Sequence, residues 1–411
     1  MSLRVLVLSG EYPPVVEGGL ARHVRKLSEQ LVEDGVEVHV VTRGGGRLDA
    51  EEVRHGVIVH RVREPEFPKH DLDAFIAWVD RMNEDMRATG DELCERVDFD
   101  LVHSHDWLVA DAARALARSR ALPWLVTVHA TEHGRHQGWV DKHPQAHIHA
   151  VERRMVRAAD RVITCSYFMR GHVTDVFGIS PRRVTVIPNG IDPSDLQPVD
   201  DLARLRARFA EPEEKLVLMV GRLVYEKGFH LALDAMPRLI ERLGGVRFLV
   251  AGSGTADDEL KAQAERLGLT RHGTFLGWTG DDILHSLYRI ADLCVVPSLY
   301  EPFGLVALEA MASGCPTIVA DTGGLREVVP GGRKVGLRFR ASDSHALARM
   351  AEELLADDAL RDRLVAEASE HVLRFDWADV ARQTAEVYAD VTRAGTPATT
   401  APGGTASRTS A

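Results

Sequence analysis

The stretch RVLVLSGEYPPVVEGGLARHV, residues 4–24, contains the repeating unit that decides the fold. It begins with a short apolar run rich in β-branched residues and passes through a loop with two prolines and two glycines. A helical pattern follows, with Leu20, Val24, Leu27 and Leu31 on one face. A strand that is apolar on both faces and leads into a helix is typical of a parallel sheet covered by helices.

The same unit recurs along the chain, and the series restarts once. The first series predicts further strands at VEVHVVT (36–42), GVIVHRV (56–62), DLVHSH (100–105), WLVTVH (124–129), RVITCS (161–166) and RVTVIP (183–188). After the polar stretch at 189–201, the second series predicts strands at KLVLMVG (215–221), VRFLVAG (246–252), GTFLGW (273–278), LCVVPS (293–298) and PTIVAD (316–321). The sequence therefore predicts an α/β protein with two doubly wound, Rossmann-like domains facing each other across a cleft.

Four segments follow from this pattern. We expect an N-terminal domain at 1–192, a second domain at 193–374 and a C-terminal helix at 375–393 that crosses back to the first domain. Residues 394–411 carry few charges and no large apolar side chain, which predicts a disordered tail.

Composition excludes several classes of protein. A net charge of −11, from 50 basic and 61 acidic residues, argues against a nucleic-acid partner. No apolar run approaches the roughly 18 residues of a membrane span, so we expect no transmembrane segment. The four cysteines, Cys94, Cys165, Cys294 and Cys315, lie far apart, which favours a reduced, cytoplasmic protein.

A glycine pair precedes the first helix. Gly18 and Gly19 leave the backbone N–H groups accessible where the helix dipole is positive, so this turn is a candidate anion site. The alternative is a simple strand-to-helix turn.

The second series supplies two cations on one loop. Arg222 and Lys227 follow the strand at 215–221 and lie at the expected cleft edge of the sheet. They are able to clamp a diphosphate without a metal, with Arg222 as a planar fork and Lys227 as a point charge. The alternative is a solvated surface pair.

Two glutamates frame the most specific string, YEPFGLVALEAMASGCP (300–316). Glu301 follows the strand at 293–298, Gly304 opens a helix, and Glu309 lies in the second turn of that helix. Carboxylates at this spacing are able to accept hydrogen bonds from hydroxyls of a sugar and of a ribose.

Together, EGGL at 17–20, GRLVYEKG at 221–228 and the E-x7-E pattern of Glu301 and Glu309 resemble the retaining GT-B nucleotide-sugar glycosyltransferases of family four. The resemblance extends over residues 1 to about 392. HSHDWLVA (103–110) and HATEHGRHQGWV (129–140) are similar to glucan-elongating bacterial members, including actinobacterial α-1,4-glucosyltransferases.

The resemblance implies an acceptor-side first domain, a nucleotide-sugar-binding second domain and a role for each matching residue. The catalytic residues would be His129, Arg222, Lys227 and Glu301. Donor binding would add Gly18, Gly19, Asn189, Phe303, Gly304, Leu305 and Glu309, with Phe303 to Leu305 acting through backbone N–H groups. The implied partners are a nucleoside-diphosphate sugar and an α-glucan, with no metal or other cofactor.

Starch and bacterial glycogen synthases that use ADP-glucose carry K-T-G-G-L, whereas this chain has Val16-Glu17-Gly18-Gly19-Leu20. Because the lysine is absent, UDP-glucose and ADP-glucose both stay open as donors. Other sugars and acceptors, of the mannosyl- or sucrose-type, stay open as well.

Histidines crowd the region between 129 and 149. We interpret it as an acceptor-binding loop formed by Asp106, Trp107, His133, Arg135 and Trp139, because sugar faces stack on aromatic rings. A zinc site is the alternative, although the H-x3-H pairs 129/133 and 143/147 lack the surrounding motif of a zinc enzyme. Two other classes stay open: a metal-dependent hydrolase and a non-catalytic nucleotide-sugar sensor. The sequence predicts no oligomeric state.

Overall fold

The fold contains two sheets that follow one another in the chain. The computed structural model describes residues 3–16, 18–44, 48–63, 68 and 72–395. Eight strands form the first sheet: β1 (Arg4–Ser9), β2 (Glu37–Arg43), β3 (Glu51–Arg54), β4 (Val57–Val62), β5 (Leu101–His105), β6 (Trp124–Val128), β7 (Arg161–Thr164) and β8 (Val184–Val186). Six strands form the second: β9 (Lys215–Val220), β10 (Val246–Ala251), β11 (Gly273–Gly277), β12 (Leu293–Val296), β13 (Thr317–Ala320) and β14 (Leu337–Phe339).

Both sheets are doubly wound. The first has the order β3-β4-β2-β1-β5-β6-β7-β8, and the second has the order β11-β10-β9-β12-β13-β14. All neighbouring strands among these are parallel except β3 and β4, which form an antiparallel pair at one edge. The strand order reverses beside β1 in one sheet and beside β9 in the other, and crevices for ligands form at such points.

Helices cover both faces of each sheet. In the first half they are α1 (Gly19–Glu33), α2 (Leu72–Cys94), α3 (Ala110–Arg120), α4 (Glu132–Arg135), α5 (Gln145–Ala158) and α6 (Tyr167–Phe177). In the second half they are α7 (Leu202–Arg206), α8 (Phe229–Leu243), α9 (Asp257–Arg266), α10 (Asp281–Ile290), α11 (Leu305–Ala312), α12 (Leu325–Val328), α13 (Ser344–Ala356), α14 (Asp358–His371) and α15 (Trp377–Gly395). Short 3-10 turns lie at Trp107–Val109, Pro181–Arg183, Pro193–Asp195, Tyr225–Lys227 and Val372–Arg374.

Every strand that the sequence predicted is present, and two short edge strands were not predicted. These are β3, which is solvent-exposed at alternate positions, and β14, which has three residues. Neither has the continuous apolar run of a strand covered on both faces.

The C-terminal helix packs on the first sheet, although it follows the second in sequence. Trp377, Val380 and Tyr388 of α15 share a core with Val5 and Val24. The Tyr388 hydroxyl lies 2.7 Å from Nδ1 of the buried His103 in β5. The structure describes the helix to Gly395, so the first two residues of the predicted tail, 394 and 395, are helical; residues 396–411 lie outside the described part.

The two halves meet through the loop after β12. The Tyr300 hydroxyl accepts the Thr131 N–H at 3.2 Å, and a Cβ at Gly134 would lie 2.2 Å from the Tyr300 ring. The Ser166 hydroxyl donates to the Pro302 carbonyl at 2.6 Å. These contacts hold the loop of the second domain against the carboxyl ends of β6 and β7. Within the described ranges, no helix has the length and apolar character needed to cross a membrane.

Candidate active site

The candidate site lies between the two sheets, where loops leave the carboxyl ends of their strands. From the second sheet, the loop after β9 carries Arg222 and Lys227, and the loop after β12 carries Glu301. From the first sheet, Asp106 follows β5 and His129 follows β6. This is the position where doubly wound sheets bind ligands.

Lys227 and Glu301 form a close ion pair. Nζ of Lys227 lies 2.7 Å from Oε2 of Glu301, and the Ser298 hydroxyl donates to the same oxygen at 3.1 Å. Both charged side chains are largely buried. Removing either one would leave the other charge buried without its partner, which is strongly destabilising. The pair therefore fixes both groups at the cleft edge.

Arg222 faces a second guanidinium across the cleft. Its closest carboxylate is Glu226, at 3.7 Å, and the Arg222 side chain stays half exposed. Partial burial and then the positive charge of Arg135 lower the pKa of Arg222. Arg135 belongs to α4 of the first domain, so cations of both domains approach the same space. An anion in that space would relieve their repulsion.

The first turn of α11 adds backbone donors to this space. Gly304 precedes the helix with a φ of +121°, a conformation that L side chains rarely adopt, and a Cβ there would lie 2.7 Å from Leu325. The N–H groups that follow have no acceptors within their own helix. Leu305 contacts the first domain, because a Cβ on Gly19 would lie 2.7 Å from its Cδ1 atom. Gly18, the residue before α1, has open space around its Cα.

Glu309 is also buried with partners. Oε1 accepts from Nη1 of Arg22 at 3.0 Å, and Oε2 accepts from the Tyr288 hydroxyl at 3.0 Å. Arg22, in α1, also pairs with Asp281. The sequence analysis missed Arg22, although it lies three residues after Gly19 on the helix that begins there. Its position one turn into α1 was the available signal.

The Phe303 ring is buried against Phe375, with centroids 5.8 Å apart. Its side chain is therefore part of the core, and a role for its backbone N–H in donor binding stays a prediction.

On the first-sheet side, His129 is partly exposed at the cleft, and the buried imidazoles of His103 and His105 lie behind it. Nδ1 of His105 lies 3.1 Å from Nε2 of His129. Burial, reinforced by the nearby Arg135 charge, lowers the pKa of His129 to about 4. Burial lowers the pKa of His103 to about 3 and that of His105 well below its ordinary value. These rings are therefore neutral at pH 7, and each has one nitrogen that accepts and one that donates.

Asp106 orients His129 through the backbone. Its Oδ1 atom accepts the His129 N–H at 2.7 Å. Burial raises the pKa of Asp106 to about 6, although the Arg135 charge and backbone hydrogen bonds from His129 and Ala130 oppose this shift. At pH 7 the carboxylate is ionised in most molecules, so it holds the loop that carries His129 and balances Arg135. The sequence predicts that Asp106 binds the acceptor, and in the structure at least one of its oxygens is engaged by the protein itself.

The remaining residues of the predicted acceptor loop lie in different environments. Trp107 is only 8% exposed and packs in the core with Phe75, so its assignment to sugar stacking is wrong: the 3-10 turn after β5 directs the ring inward. His133 packs among His149 and His172, with ring centroids at 5.9 and 5.4 Å. Trp139 is 77% exposed and free to meet a ligand.

A cavity of about 290 Å³ opens between α1 and the segment at 189–197. Gly19, Arg22, Asn189, Leu305 and Glu309 line it, so several predicted donor residues share one space. His23 lines the same cavity, and it forms a group with His105 and His129 whose ligand atoms all lie within 4.8 Å of one another. The sequence analysis did not single out His23.

Comparisons with known proteins agree with this geometry. Residues 17–195 match the family model "Glycosyltransferase Family 4", and residues 203–371 match "Glycosyl transferases group 1". A glycogen synthase of Mycobacterium tuberculosis is 40% identical over 94% of each chain. A D-inositol 3-phosphate glycosyltransferase of Acidothermus cellulolyticus is 33% identical over 91% of this chain and 86% of its own.

A solved structure shares the architecture. Sucrose-phosphate synthase from Thermosynechococcus elongatus superposes with a TM-score of 0.81 at 25% identity, over 95% of this chain and 100% of its own. The fold is therefore GT-B. The near-complete coverage by relatives above 30% identity shows that this chain is an enzyme, a hexosyltransferase that belongs to the family 4 and group 1 glycosyltransferases.

Proposed function

We propose that this enzyme transfers glucose from UDP-glucose or ADP-glucose to the non-reducing end of an α-1,4-glucan or a related polysaccharide, with retention of the anomeric configuration. The observation that carries the proposal is the convergence of Arg222, Lys227 and Arg135 with the N-terminus of α11 in one cleft. A nucleoside diphosphate has the charge and size that such a group of donors would bind.

The chemical demand of the reaction is electrostatic. The glycosidic bond to the phosphate breaks toward an oxocarbenium-like centre, while negative charge gathers on the departing diphosphate. Arg222, Lys227 and the N–H groups after Gly304 would stabilise that charge, and they are already in place before the reaction begins.

The two glutamates would hold the two ends of the donor. Glu301 lies beside Lys227 and would accept a hydroxyl of the transferred glucose. Glu309, with Tyr288 and Arg22 on its two oxygens, would accept the ribose hydroxyls. A ribose hydroxyl would compete with the Arg22 guanidinium for Oε1, so donor binding would weaken this contact between the domains.

His129 would lie beside the reacting carbon as a neutral donor to the 6-hydroxyl of glucose. The His129 ring is uncharged, and Glu301 is held by Lys227. In the proposed reaction, therefore, no side chain acts as a nucleophile. The acceptor hydroxyl would attack on the face from which the diphosphate leaves, and a departing phosphate oxygen would take its proton.

Metal independence is part of the proposal. Three cationic side chains and a helix N-terminus supply the charge that Mg²⁺ supplies in other phosphate-transfer sites. We expect full activity in the presence of EDTA, and strict dependence on added divalent metal would contradict this step. A cytoplasmic location is also proposed, because Cys94, Cys165, Cys294 and Cys315 are all free thiols.

The acceptor has a second candidate, which one relative favours. The relative from Acidothermus cellulolyticus is named for D-inositol 3-phosphate, so a small phosphorylated acceptor competes with the glucan. The test measures transfer of radiolabelled sugar from UDP-, ADP- and GDP-linked donors to maltooligosaccharides, glycogen and inositol phosphate. We expect label from UDP- or ADP-glucose on glucan. Label only on inositol phosphate would replace the proposed acceptor, and donor binding without turnover would indicate a sensor.

A further inference from the structure

The candidate site contains three imidazoles that come from separate parts of the first domain. His105 ends β5, His129 directly follows β6, and His23 lies in the second turn of α1, which follows β1. Since β1, β5 and β6 are neighbours in the sheet, their carboxyl ends bring the three rings together. This grouping depends on strand order and not on any local sequence motif.

His23 is the unusual member of the group. It is only 6% exposed, and its one hydrogen-bond partner among the described residues is the Asn189 side chain, which leaves the other ring nitrogen unpaired. Leaving a buried polar atom unsatisfied costs about 1–3 kcal/mol, so a ligand on that nitrogen would be stabilising.

Two other buried histidines in the same domain, His39 and His60, are satisfied. His39 and His60 lie with ring nitrogens 3.0 Å apart. The second nitrogen of His39 is 3.2 Å from Glu37, and the second nitrogen of His60 is 3.2 Å from Glu51. All four nitrogens of that pair have partners, whereas Nδ1 of His133 and Nδ1 of His149 have none among the described residues. What distinguishes His23 is therefore its place beside His105 and His129.

We propose that His23, His105 and His129 bind a divalent transition metal, with Zn²⁺ as the expected ion, and that the bound metal inhibits transfer. Three neutral imidazoles are a well-known ligand set for tetrahedral Zn²⁺. Tetrahedral geometry places zinc-bound nitrogens ~3.4 Å apart, whereas these ligand atoms lie within 4.8 Å. Metal binding would replace the His105–His129 hydrogen bond and would draw the three rings together.

Inhibition follows from the identity of the third ligand. With its ring bound to the metal, His129 could not donate the hydrogen bond to the sugar that the transfer reaction needs. The cavity lined by His23 provides an entry path. Its wall carries five carboxylates (Asp192, Asp195, Asp281, Asp282 and Glu309) and three cations (Arg22, Arg25 and Lys26), and this excess of negative charge favours the approach of a cation. The metal is thus separate from catalysis, which the cationic side chains perform.

The test measures Zn²⁺ affinity on the full chain by competition with a chromophoric chelator. We expect one tight equivalent in the wild type and a loss of at least about 100-fold in affinity in His23→Gln and in His105→Gln. The matched control is His60→Gln, a buried histidine whose nitrogens have other partners. It should keep the wild-type affinity.

Co²⁺ provides a readout that does not depend on activity. The wild type should show the visible absorption of tetrahedral Co²⁺, and His23→Gln should lose it while circular dichroism shows the fold intact. Zinc should inhibit the wild type reversibly, with recovery on chelation, and should inhibit His23→Gln much less.

Three results would overturn the proposal: no tight zinc equivalent, equal affinity in His23→Gln, or an equal loss in His60→Gln. Because binding is measured without substrates, these outcomes are distinct from a failure to transfer sugar.

Discussion

The two walls of the cleft handle charge in opposite ways. On the wall from the second sheet, Lys227 pairs with Glu301, Glu309 pairs with Arg22 of the first domain, and Arg222 stays half exposed. On the wall from the first sheet, burial keeps His103, His105 and His129 neutral. The first domain brings two cations to the space between them, Arg135 and Arg22.

The difference indicates a division of labour. A wall of fixed charges suits a pyrophosphate, because preorganised charges stabilise an anion without reorganisation. A neutral imidazole suits hydroxyls, since it is able to donate one hydrogen bond and accept another. Of the three rings, His129 is partly exposed and faces the cleft, while both nitrogens of His103 have partners within the protein. The first sheet would therefore meet sugar and acceptor, and the second would meet the nucleotide and its phosphates.

The largest expected effect lies on the charged wall. We expect Lys227→Ala and Arg222→Ala each to lower kcat by at least about 100-fold, because each removes a charge that would stabilise the leaving diphosphate. Steady-state kinetics with saturating donor would measure this. A double variant, Lys227→Met with Glu301→Gln, controls for the unpaired buried carboxylate. Near-normal turnover in the single variants would remove the clamp from the mechanism.

On the neutral wall, we expect a smaller effect. His129→Asn should lower kcat by about tenfold, since it removes one neutral hydrogen bond to the sugar. The exposed His55 offers a control, because His55→Gln should leave the rate unchanged. A loss in His129→Asn as large as that in Lys227→Ala would break the proposed division between the walls.

Substitution of Glu309, at the ribose end of the charged wall, should change the donor KM more than kcat. We expect Glu309→Gln to raise the donor KM by about fivefold with little change in kcat, because a neutral amide keeps an acceptor but loses the charge. Arg22→Gln, which frees the same carboxylate, should lower the donor KM or leave it unchanged. An increase in KM in Arg22→Gln would show that Arg22 itself binds the donor.

The smallest expected effect is the pH dependence of stability. Burial lowers the folded-state pKa of His103 to about 3. As the pH falls through about 6.5, this imidazole therefore takes up a proton in the unfolded chain but stays neutral in the folded one. Stability is therefore complete above pH 6.5 and is lost as pH falls toward about 3. Between pH 7 and 6 this costs about 0.7 kcal/mol per buried imidazole.

Urea unfolding at the two pH values would measure the loss, and His103→Gln should reduce it by about 0.7 kcal/mol. His55→Gln, at an exposed position, should not change it. An unchanged pH dependence in His103→Gln would mean that folding does not lower the pKa of His103.

Much of the architecture was readable from the sequence, because parallel strands covered on both faces are continuous apolar runs. The predicted strands at 4–10 and 215–221 correspond to β1 and β9, the centre of each sheet. The two strands that prediction missed, β3 and β14, lie at sheet edges, where a strand needs little apolar surface.

The outcome for the two tryptophans shows where prediction failed. Trp107 and Trp139 both lie in polar, histidine-containing segments, so residue type alone did not separate them. The 3-10 turn after β5 packs Trp107 into the core, while Trp139 stays on the surface. Which way a side chain points from a loop depends on the backbone path, and local pattern carries little information on it.

The sequence by itself determined the two doubly wound units and the identities of Arg222, Lys227, Glu301 and Glu309, because strand periodicity and motif spacing are local properties. Only the tertiary structure decided that Arg22 reaches Glu309 and that His23, His105 and His129 meet. Those contacts join residues far apart in the chain, and their existence depends on strand order and on how closely the two domains approach.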